Sequence, residues 1–340
     1  MTEAKKRLHH IYDTHDSVVV AFSGGKDSLA TLHLTREIAA ERGISRIPAV
    51  FRDEELIDDS VIQFVRSYLQ EPWLDLAWWA VPLQSHKYVL GRMMDYVQWD
   101  PARKWVRPKP EWALTEKDLA LAPGTVLSQY TADEVAASRF PGKVCILTGV
   151  RSAESLMRYR ACVNKLNDNY IVASSSKRAT LGRPIFDWEE NDVFRFFYDR
   201  NIPYCPIYNA QAWSKYKLRV CSAICSEPAK NFGEFRKFAP DLYAAVIEVF
   251  PEMELQERYF GEMDREAVMR QFGQSLEGVR AWIEENIEDE RQYAKAIMEF
   301  DSVAQRTRLA PASYPSEHVL RCFMSGGGKR RILPVKAANA

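Results

Sequence analysis

Residues 18–28 read Val-Val-Val-Ala-Phe-Ser-Gly-Gly-Lys-Asp-Ser. An apolar, β-branched run at 18–22 ends in a Ser-Gly-Gly turn, and the turn opens into a pattern with apolar residues at Leu29, Leu32 and Ala39. The order is strand, glycine loop, helix N-terminus. Backbone N–H groups at such a junction have no intrahelical partner, and the helix dipole adds to their pull on an anion. Gly24 and Gly25 let the backbone come close to a phosphate and take up positive φ if the turn needs it. Lys26 adds a point charge, Ser23 and Ser28 add hydroxyls, and Asp27 suits Mg²⁺. The expectation is a site for a polyphosphate or a nucleotide, and the plain alternative is a Gly-rich turn without a ligand.

The loop is not a Walker A motif, which needs four residues between its first Gly and a Gly-Lys pair and then Ser or Thr. Here the glycines are adjacent and Asp follows the Lys. The stretch Ser-Gly-Gly-Gly-Lys at 325–329 fails the same test, since Arg330 follows it and no strand–helix frame surrounds it. A Rossmann fingerprint is absent.

Moving outward, short β-type runs at 18–22, 47–51, 76–81, 144–148 and 171–173 alternate with helical patterns near 29–42, 60–68, 153–164 and 189–201. Alternation of this kind predicts an α/β fold: an open parallel sheet with helices on both faces. Ligands of such sheets sit beyond the carboxyl ends of the strands. The loops at 23–28, 53–55 and 149–151 all follow predicted strands and are expected to converge on one crevice.

Between 95 and 141 the pattern breaks into an irregular insertion with five prolines and with Trp99, Trp105, Trp112 and Tyr130. Arg103, Lys104, Arg107 and Lys109 cluster around Trp105. A lid or a nucleic-acid contact is one reading. A solvated loop with Trp105 tucked into the core is the preferred one. After about Cys225 helical patterns at 234–250, 265–272 and 276–300 replace strands. Acidic residues outnumber basic ones about two to one between Glu254 and Asp301, which suits a solvated face. The expected division is a nucleotide-binding domain at 1–212 and a cysteine-containing segment with a helical subdomain at 213–340. The Lys329-Arg330-Arg331 run reads as a frayed end.

With 46% apolar residues a sizeable core is available, and disorder is excluded as the global description. The formal net charge is zero, which removes the generic electrostatic case for nucleic acid while leaving a local patch open. No apolar run reaches the roughly 18–20 residues a membrane span needs. Residues 1–10 are charged and lack the apolar centre of a signal peptide, so a cytoplasmic location is expected. Six cysteines in 340 residues do not suggest a disulfide framework. The oligomeric state is left open.

A second constellation lies at 147–160, Leu-Thr-Gly-Val-Arg-Ser-Ala-Glu-Ser-Leu-Met-Arg-Tyr-Arg. Gly149 closes a predicted strand, and Ser152 or Ser155 can cap the following helix. Arg151 and Arg158 are seven apart, about two helical turns, so they can share a face and form a fork for phosphate or sulfate. Surface pairing with Glu154 is the alternative. A third block, Arg183-Pro-Ile-Phe-Asp-Trp-Glu-Glu-Asn-Asp-Val-Phe, leads to Ile202-Pro-Tyr-Cys-Pro-Ile-Tyr. Its Trp188, Val193 and Phe197 read as core.

Together these blocks resemble the phosphoadenosine-phosphosulfate (PAPS) reductase family of the PP-loop, or N-type ATP pyrophosphatase, superfamily. Residues 23–28 resemble the PP-loop. Residues 149–158 are similar to the family's Gly-x-Arg-x-x-Glu-Ser-x-x-Arg segment, and 184–208 to its Pro-Ile-x-x-Trp … Asp-Val … Ile-Pro-Tyr-x-Pro-x-Tyr segment. The three occur in the family's order across roughly residues 15–210. The resemblance implies an adenine nucleotide alpha hydrolase-like (Rossmann-like) fold with an adenylyl ligand, ATP or PAPS, at the loop crevice. Ser23, Gly24, Gly25, Lys26, Asp27 and Ser28 would hold phosphates and Mg²⁺. Gly149 and Arg151, with Arg158, would meet the distal phosphate or the sulfate, and Asp53 would lie near the adenosine.

The chain departs from the thioredoxin-dependent reductases, which attack with a cysteine in a Glu-Cys-Gly-(Ile/Leu)-His segment. Here Cys322 sits in Leu-Arg-Cys-Phe-Met, and the paired Cys-Cys of the iron–sulfur members is missing. Cys205, Cys221 and Cys225 remain. On a helix, Cys221 and Cys225 would share a face, and Lys215, Lys217 and Arg219 would lower a thiol pKa. A sulfur carrier or an iron–sulfur cluster, with Cys162 or Cys145 as a fourth ligand, stands against plain buried thiols. The histidines show no zinc spacing.

Relatives without the reductase segment resemble ATP pyrophosphatases that adenylate a substrate before sulfur or nitrogen arrives, some of them in DNA phosphorothioate modification. The resemblance thus implies ATP cleavage between the α and β phosphates in sulfur transfer, with a sulfur-donor protein as partner. Sulfite release from PAPS with thioredoxin and a nucleotide-sensing module without turnover are the alternatives.

Overall fold

The computed structural model describes residues 2–163, 169–174, 178–214, 218–260, 265–287, 289–325 and 331–335. In chain order α1 (Thr2–Thr14), β1 (Ser17–Ala21), α2 (Lys26–Glu41), β2 (Ile47–Arg52), α3 (Asp59–Ser67) and β3 (Leu74–Trp79) come first. A hairpin of β4 (Leu83–Val89) and β5 (Arg92–Gln98) follows, then α4 (Gln129–Ser138), β6 (Val144–Leu147), α5 (Leu156–Val163), β7 (Ile171–Ala173), β8 (Ala179–Gly182), α6 (Glu190–Arg200) and α7 (Ile207–Trp213). The remainder is helical: α8 (Ser226–Ala229), α9 (Phe235–Phe238), α10 (Pro240–Val249), α11 (Glu252–Phe260), α12 (Arg265–Phe272), α13 (Leu276–Asn286), α14 (Glu290–Leu309) and α15 (Ser316–Met324).

The main sheet has the order β3-β2-β1-β6-β8-β7. Every neighbouring pair is parallel except β7–β8, which is antiparallel at one edge. Side chains of β1 alternate between two buried clusters. Val18 and Val20 pack with α1, α2, α3 and α6, while Val19 packs with Ala132, Ala136 and Ala137 of α4. Burial on both faces is why these strands read as unbroken apolar runs. The expected α/β sheet with helices on both faces is what the chain adopts, and a helical C-terminal region accompanies it.

The chain winds outward from β1 through β2 to β3, then returns to place β6 on β1's other side. That reversal sets the carboxyl ends of β1 and β6 side by side, where open α/β sheets take their ligands.

Several expectations need correction. The irregular insertion over 95–141 begins inside β5 and contains α4. Leu90 and Gly91 both have positive φ, 44° and 85°, which makes the tight turn joining β4 to β5. The helix expected over 153–164 starts as a 3-10 turn at Ser152–Glu154 and becomes α only at Leu156; Asn164 lies outside the described residues. The 234–250 pattern breaks at Pro240 into α9 and α10, and the 276–300 pattern breaks after Asn286 into α13 and α14. Periodicity alone does not report a break when both halves bury the same face.

The chain divides into two compact units that interleave in sequence. The first is Met1–Ser85, Tyr96–Ala223 and Gly233–Val249; the second is His86–Asp95, Ile224–Phe232 and Phe250–Ala340. The expected boundary at 212/213 is replaced by this exchange, because the hairpin tip belongs to the second unit and α10 to the first. The second unit has its own core, with Val279, Ile283, Ala296, Val303, Val319 and Leu320 fully buried. Among the described residues, no helix is long and apolar enough to cross a membrane.

Candidate active site

Gly24 takes φ +74°, and a Cβ there would stand 2.6 Å from Val65 Cγ2, so the turn tolerates only glycine. Gly25 is the N-cap of α2 in extended conformation and has no side chain with which to cap it. The loop is braced from within. Ser28 Oγ accepts from Ser23 N at 3.1 Å and donates to Gly25 O at 2.9 Å, and the two serine hydroxyls lie 3.0 Å apart. These serines therefore shape the loop. Lys26 N donates to the hydroxyl of Tyr208 at 2.7 Å. Lys26 and Arg151 are both almost wholly buried, at 4% and 3% exposure.

The loop after β6 presses directly on this helix start. A Cβ on Gly149 would lie 2.4 Å from the Asp27 carbonyl carbon and 2.6 Å from Ser28 N. Only a bare backbone permits that approach. It delivers Arg151, whose Nε donates to Asp27 Oδ1 at 2.6 Å. Lys26 Nζ reaches Asp27 Oδ2 and Glu190 Oε2, each at 3.3 Å, and donates to Leu218 O at 3.0 Å. The sequence-expected trio of Lys26, Asp27 and Arg151 is thus one cluster.

Arg158 is paired with Glu154, which was the alternative reading for that residue. Ser155 does cap α5, accepting from Arg158 N at 3.2 Å. Burial, followed by the guanidiniums of Arg219, Arg151 and Arg183, pushes the Arg158 pKa below its ordinary value, with Asp27 acting the other way. Three guanidiniums thus act on Arg158, and an anion beside it would oppose them.

Asp53 lies at the end of β2, as expected, but it is fully enclosed. It is ion-paired with Arg107, accepts from Trp78 Nε1 at 2.9 Å and accepts from Glu55 N at 3.0 Å. Glu55 is likewise enclosed: Arg103 holds both of its oxygens, at 2.8 and 2.6 Å, and the N–H groups of Trp99 and Val106 donate to it. Burial pushes the Asp53 pKa up, and Arg107 opposes it. Where Arg103 and Arg107 are concerned, the basic cluster around Trp105 is therefore not a solvated loop. These two arginines point inward and neutralise the 53–55 loop, while Trp105 packs against the core.

The third carboxylate of that loop, Glu54, accepts from Ser222 N at 3.1 Å, and Ala223 N donates to Leu56 O. The segment 218–223 is thus strapped along the crevice, and half-buried Cys221 rides on it. The helix imagined for Cys221 and Cys225 does not exist: turns carry them, and Cys225 is the N-cap of α8. Cys205 is buried, its Sγ facing Ser60 O at 3.8 Å, and burial pushes its thiol to about 11. Cys145, also pushed to about 11, lies inside the sheet, and Cys162 is buried beside Arg183. Among the described residues no three His, Cys, Asp or Glu side chains are arranged to hold a metal ion, so the cysteine cluster set is not assembled. Lys215 and Lys217 lie outside the described residues.

Reading single residues gave Tyr208 and Arg183 no role, set Arg219 beside the cysteines and left Arg103 and Arg107 without partners. Tyr208 closed the last family-like segment, and that position was its only signal. Arg103 and Arg107 carried a charge signal, but nothing in the sequence pointed them toward Glu55 and Asp53.

A family model described as "Phosphoadenosine phosphosulfate reductase domain" matches residues 17–224. The uncharacterized protein YbdN of Escherichia coli (strain K12) is 27% identical over 259 residues, which is 72% of this chain and 63% of that protein. The chain thus spans less than two thirds of that relative's length. Among solved structures, an FMN adenylyltransferase from Candida glabrata is 15% identical, covering 62% of this chain and 57% of that one at a TM-score of 0.41. A phosphoadenylyl-sulfate reductase from Candida auris is 14% identical, covering 61% and 84% at 0.35. The U34-tRNA thiolase NcsA of Methanococcus maripaludis is 17% identical, covering 76% and 78% at 0.33. The matched span takes in the glycine loop, the Arg151 loop and the Tyr208 segment together, over more than half of the chain, and the chain belongs to the phosphoadenosine phosphosulfate reductase domain family.

Proposed function

We propose that the crevice binds ATP and cleaves it between the α and β phosphates, in chemistry that ends in sulfur transfer. The observation that carries this reading is the meeting of Lys26, Asp27 and Arg151 at the glycine-led start of α2. Loop N–H groups and the α2 dipole favour a phosphate there. Lys26 and the arginines of the crevice balance the charge of a polyphosphate.

Mg²⁺ suits the donors present. It is usually held by one or two carboxylates with substrate phosphates completing its shell, and Asp27 is a partly exposed carboxylate beside the phosphate-facing loop. Bound there, the ion would neutralise charge on the departing pyrophosphate. Asp27 would hold the ion in place of Arg151, and the guanidinium of Arg151 would then be available to the phosphates. Lys26 holds the leaving group, and the loop fixes the α-phosphorus for in-line attack by an acceptor oxygen. Catalysis of this kind rests on positioning and electrostatics and needs no protein base.

The sulfite-releasing alternative lacks the reductase cysteine segment, so Cys221, Cys225 or Cys322 would have to stand in as nucleophile. Cys322 lies in α15 of the second unit, burial pushes its thiol up, and its neighbour His318 is engaged with Leu333 O at 2.7 Å. The test is pyrophosphate release from ATP with Mg²⁺, beside sulfite release from PAPS with thioredoxin. Pyrophosphate without sulfite is expected, and Asp27→Ala should abolish it with the fold intact. Sulfite without pyrophosphate would make the protein a reductase. Nucleotide binding with neither product would make it a sensor. Unchanged pyrophosphate release in Asp27→Ala would remove Asp27 from the mechanism.

A further inference from the structure

The cation at the glycine loop is held by the protein's own anions. Lys26 Nζ lies 3.3 Å from Asp27 Oδ2 and 3.3 Å from Glu190 Oε2, donates to Leu218 O at 3.0 Å, and stands 5.6 Å from the centroid of the Tyr208 ring. Lys26 is the first residue of α2 and Glu190 the first of α6, so two helix starts meet across this contact. Glu190 lies inside the third sequence block, between Trp188 and Val193, where the sequence alone gave it no role.

Lys26 and Arg151 supply two positive charges to this cluster, and Asp27 and Glu190 supply two negative ones. A phosphate that takes Lys26 upsets that balance, and one carboxylate must yield. The two differ in how readily they can. The Asp27 side chain is 17% exposed, and its other oxygen accepts from Arg151 Nε at 2.6 Å. The Glu190 side chain is 49% exposed. Its carboxylate can turn into water at little cost, since a partly exposed ion pair is weakly held. Its backbone meanwhile stays at the start of α6, where the helix dipole favours an acid. The carboxylate therefore remains within reach of Lys26, and a tethered group competes at an effective concentration that a dissolved anion seldom matches.

We propose that Glu190 is a built-in competitor for phosphate. Its carboxylate occupies Lys26, yields to an incoming polyphosphate and, on returning, loosens pyrophosphate so that this product leaves. The proposal rests on the reading of the crevice as a phosphate site, and it adds the residue that sets how tightly pyrophosphate is kept. If Glu190 holds Lys26 for about nine-tenths of the time, the site is competent for about one-tenth, and its apparent affinity is lowered ~10-fold.

The test is calorimetric titration of the full chain with inorganic pyrophosphate in buffer free of divalent cations, so that the anion alone is read. Glu190→Gln should bind pyrophosphate ~10-fold more tightly than the parent. Loss of structure does not produce a gain in affinity, so a misfolded variant cannot imitate this result. Glu189→Gln is the control, because it removes the same charge one residue away while leaving Glu190 at Lys26. It should bind within ~2-fold of the parent, as expected for a charge that acts only through solvent. Equal or weaker binding by Glu190→Gln, with the parent binding, would overturn the role of Glu190 and leave the phosphate site standing. An equal gain in Glu189→Gln would assign the effect to overall charge and overturn displacement at Lys26. Pyrophosphate bound by neither the parent nor Glu190→Gln would overturn the phosphate-site reading, and this proposal with it.

Discussion

The hydroxyl of Tyr208 occupies the Lys26 N–H, the first N–H of α2. Removing that hydroxyl leaves a buried N–H without an acceptor, which costs about 1–3 kcal/mol. A phosphate oxygen can restore the bond. Tyr208→Phe should therefore melt lower than the parent when free, yet gain more in melting temperature from pyrophosphate. Equal pyrophosphate-induced shifts in the two proteins would show that the loop does not present this N–H to phosphate. Gly149 is the other residue whose identity is dictated by contact, since its missing Cβ is what lets the Arg151 loop lie on Asp27. In the sequence, Gly149 is merely a glycine after an apolar run. Its necessity becomes visible only with the neighbouring backbone beside it.

At the scale of elements, the loop after β2 and the segment after β5 form one unit of charge. Asp53 and Glu55 are fully enclosed, and Arg107 and Arg103 are what make that tolerable. Breaking one buried pair strands a charge, at about 3–5 kcal/mol. Arg107→Met should thus lower unfolding free energy by about that amount in urea titrations. Asp53→Asn with Arg107→Met should recover most of it, because no charge is then left unpaired. If the double variant is as unstable as the single, Arg107 contributes through packing on Trp99 rather than through charge. The β2 strand and the acids after it were legible as pattern, and β5 was not. The pairing was not, because an arginine's partner depends on which way an irregular segment turns, and irregular segments carry no periodicity.

For the whole molecule, acid stability has an identifiable source. His33 on α2 packs among Tyr68, Trp73 and Arg36, and burial lowers its pKa from 6.5 to about 4. The folded state keeps this imidazole neutral while the unfolded chain protonates it below about 6.5. Stability should therefore fall as pH drops from 6.5 toward 4 and level off below, by on the order of 3 kcal/mol from this residue. His33→Gln should flatten that part of the profile in urea midpoints taken at successive pH values. A slope unchanged by the substitution would assign the acid sensitivity to other groups.

The sequence by itself determined the parallel strands β1, β2, β3 and β6, though not β8, because strands buried on both faces must be apolar throughout and helices between them must carry an apolar stripe. It also determined the glycine loop, the Arg151 segment and their order, since local backbone geometry and helix starts have local signatures. It did not determine the α1 helix as an element, the antiparallel edge of β7 and β8, or the breaks at Pro240 and after Asn286. Only the tertiary structure decided that Arg151 clasps Asp27, that Tyr208 caps the loop, that Arg103 and Arg107 turn inward, and that the chain exchanges segments between two units. Each of these joins residues far apart in the chain. Their energies come from burial and from low-dielectric pairing, which exist only once the two segments have met.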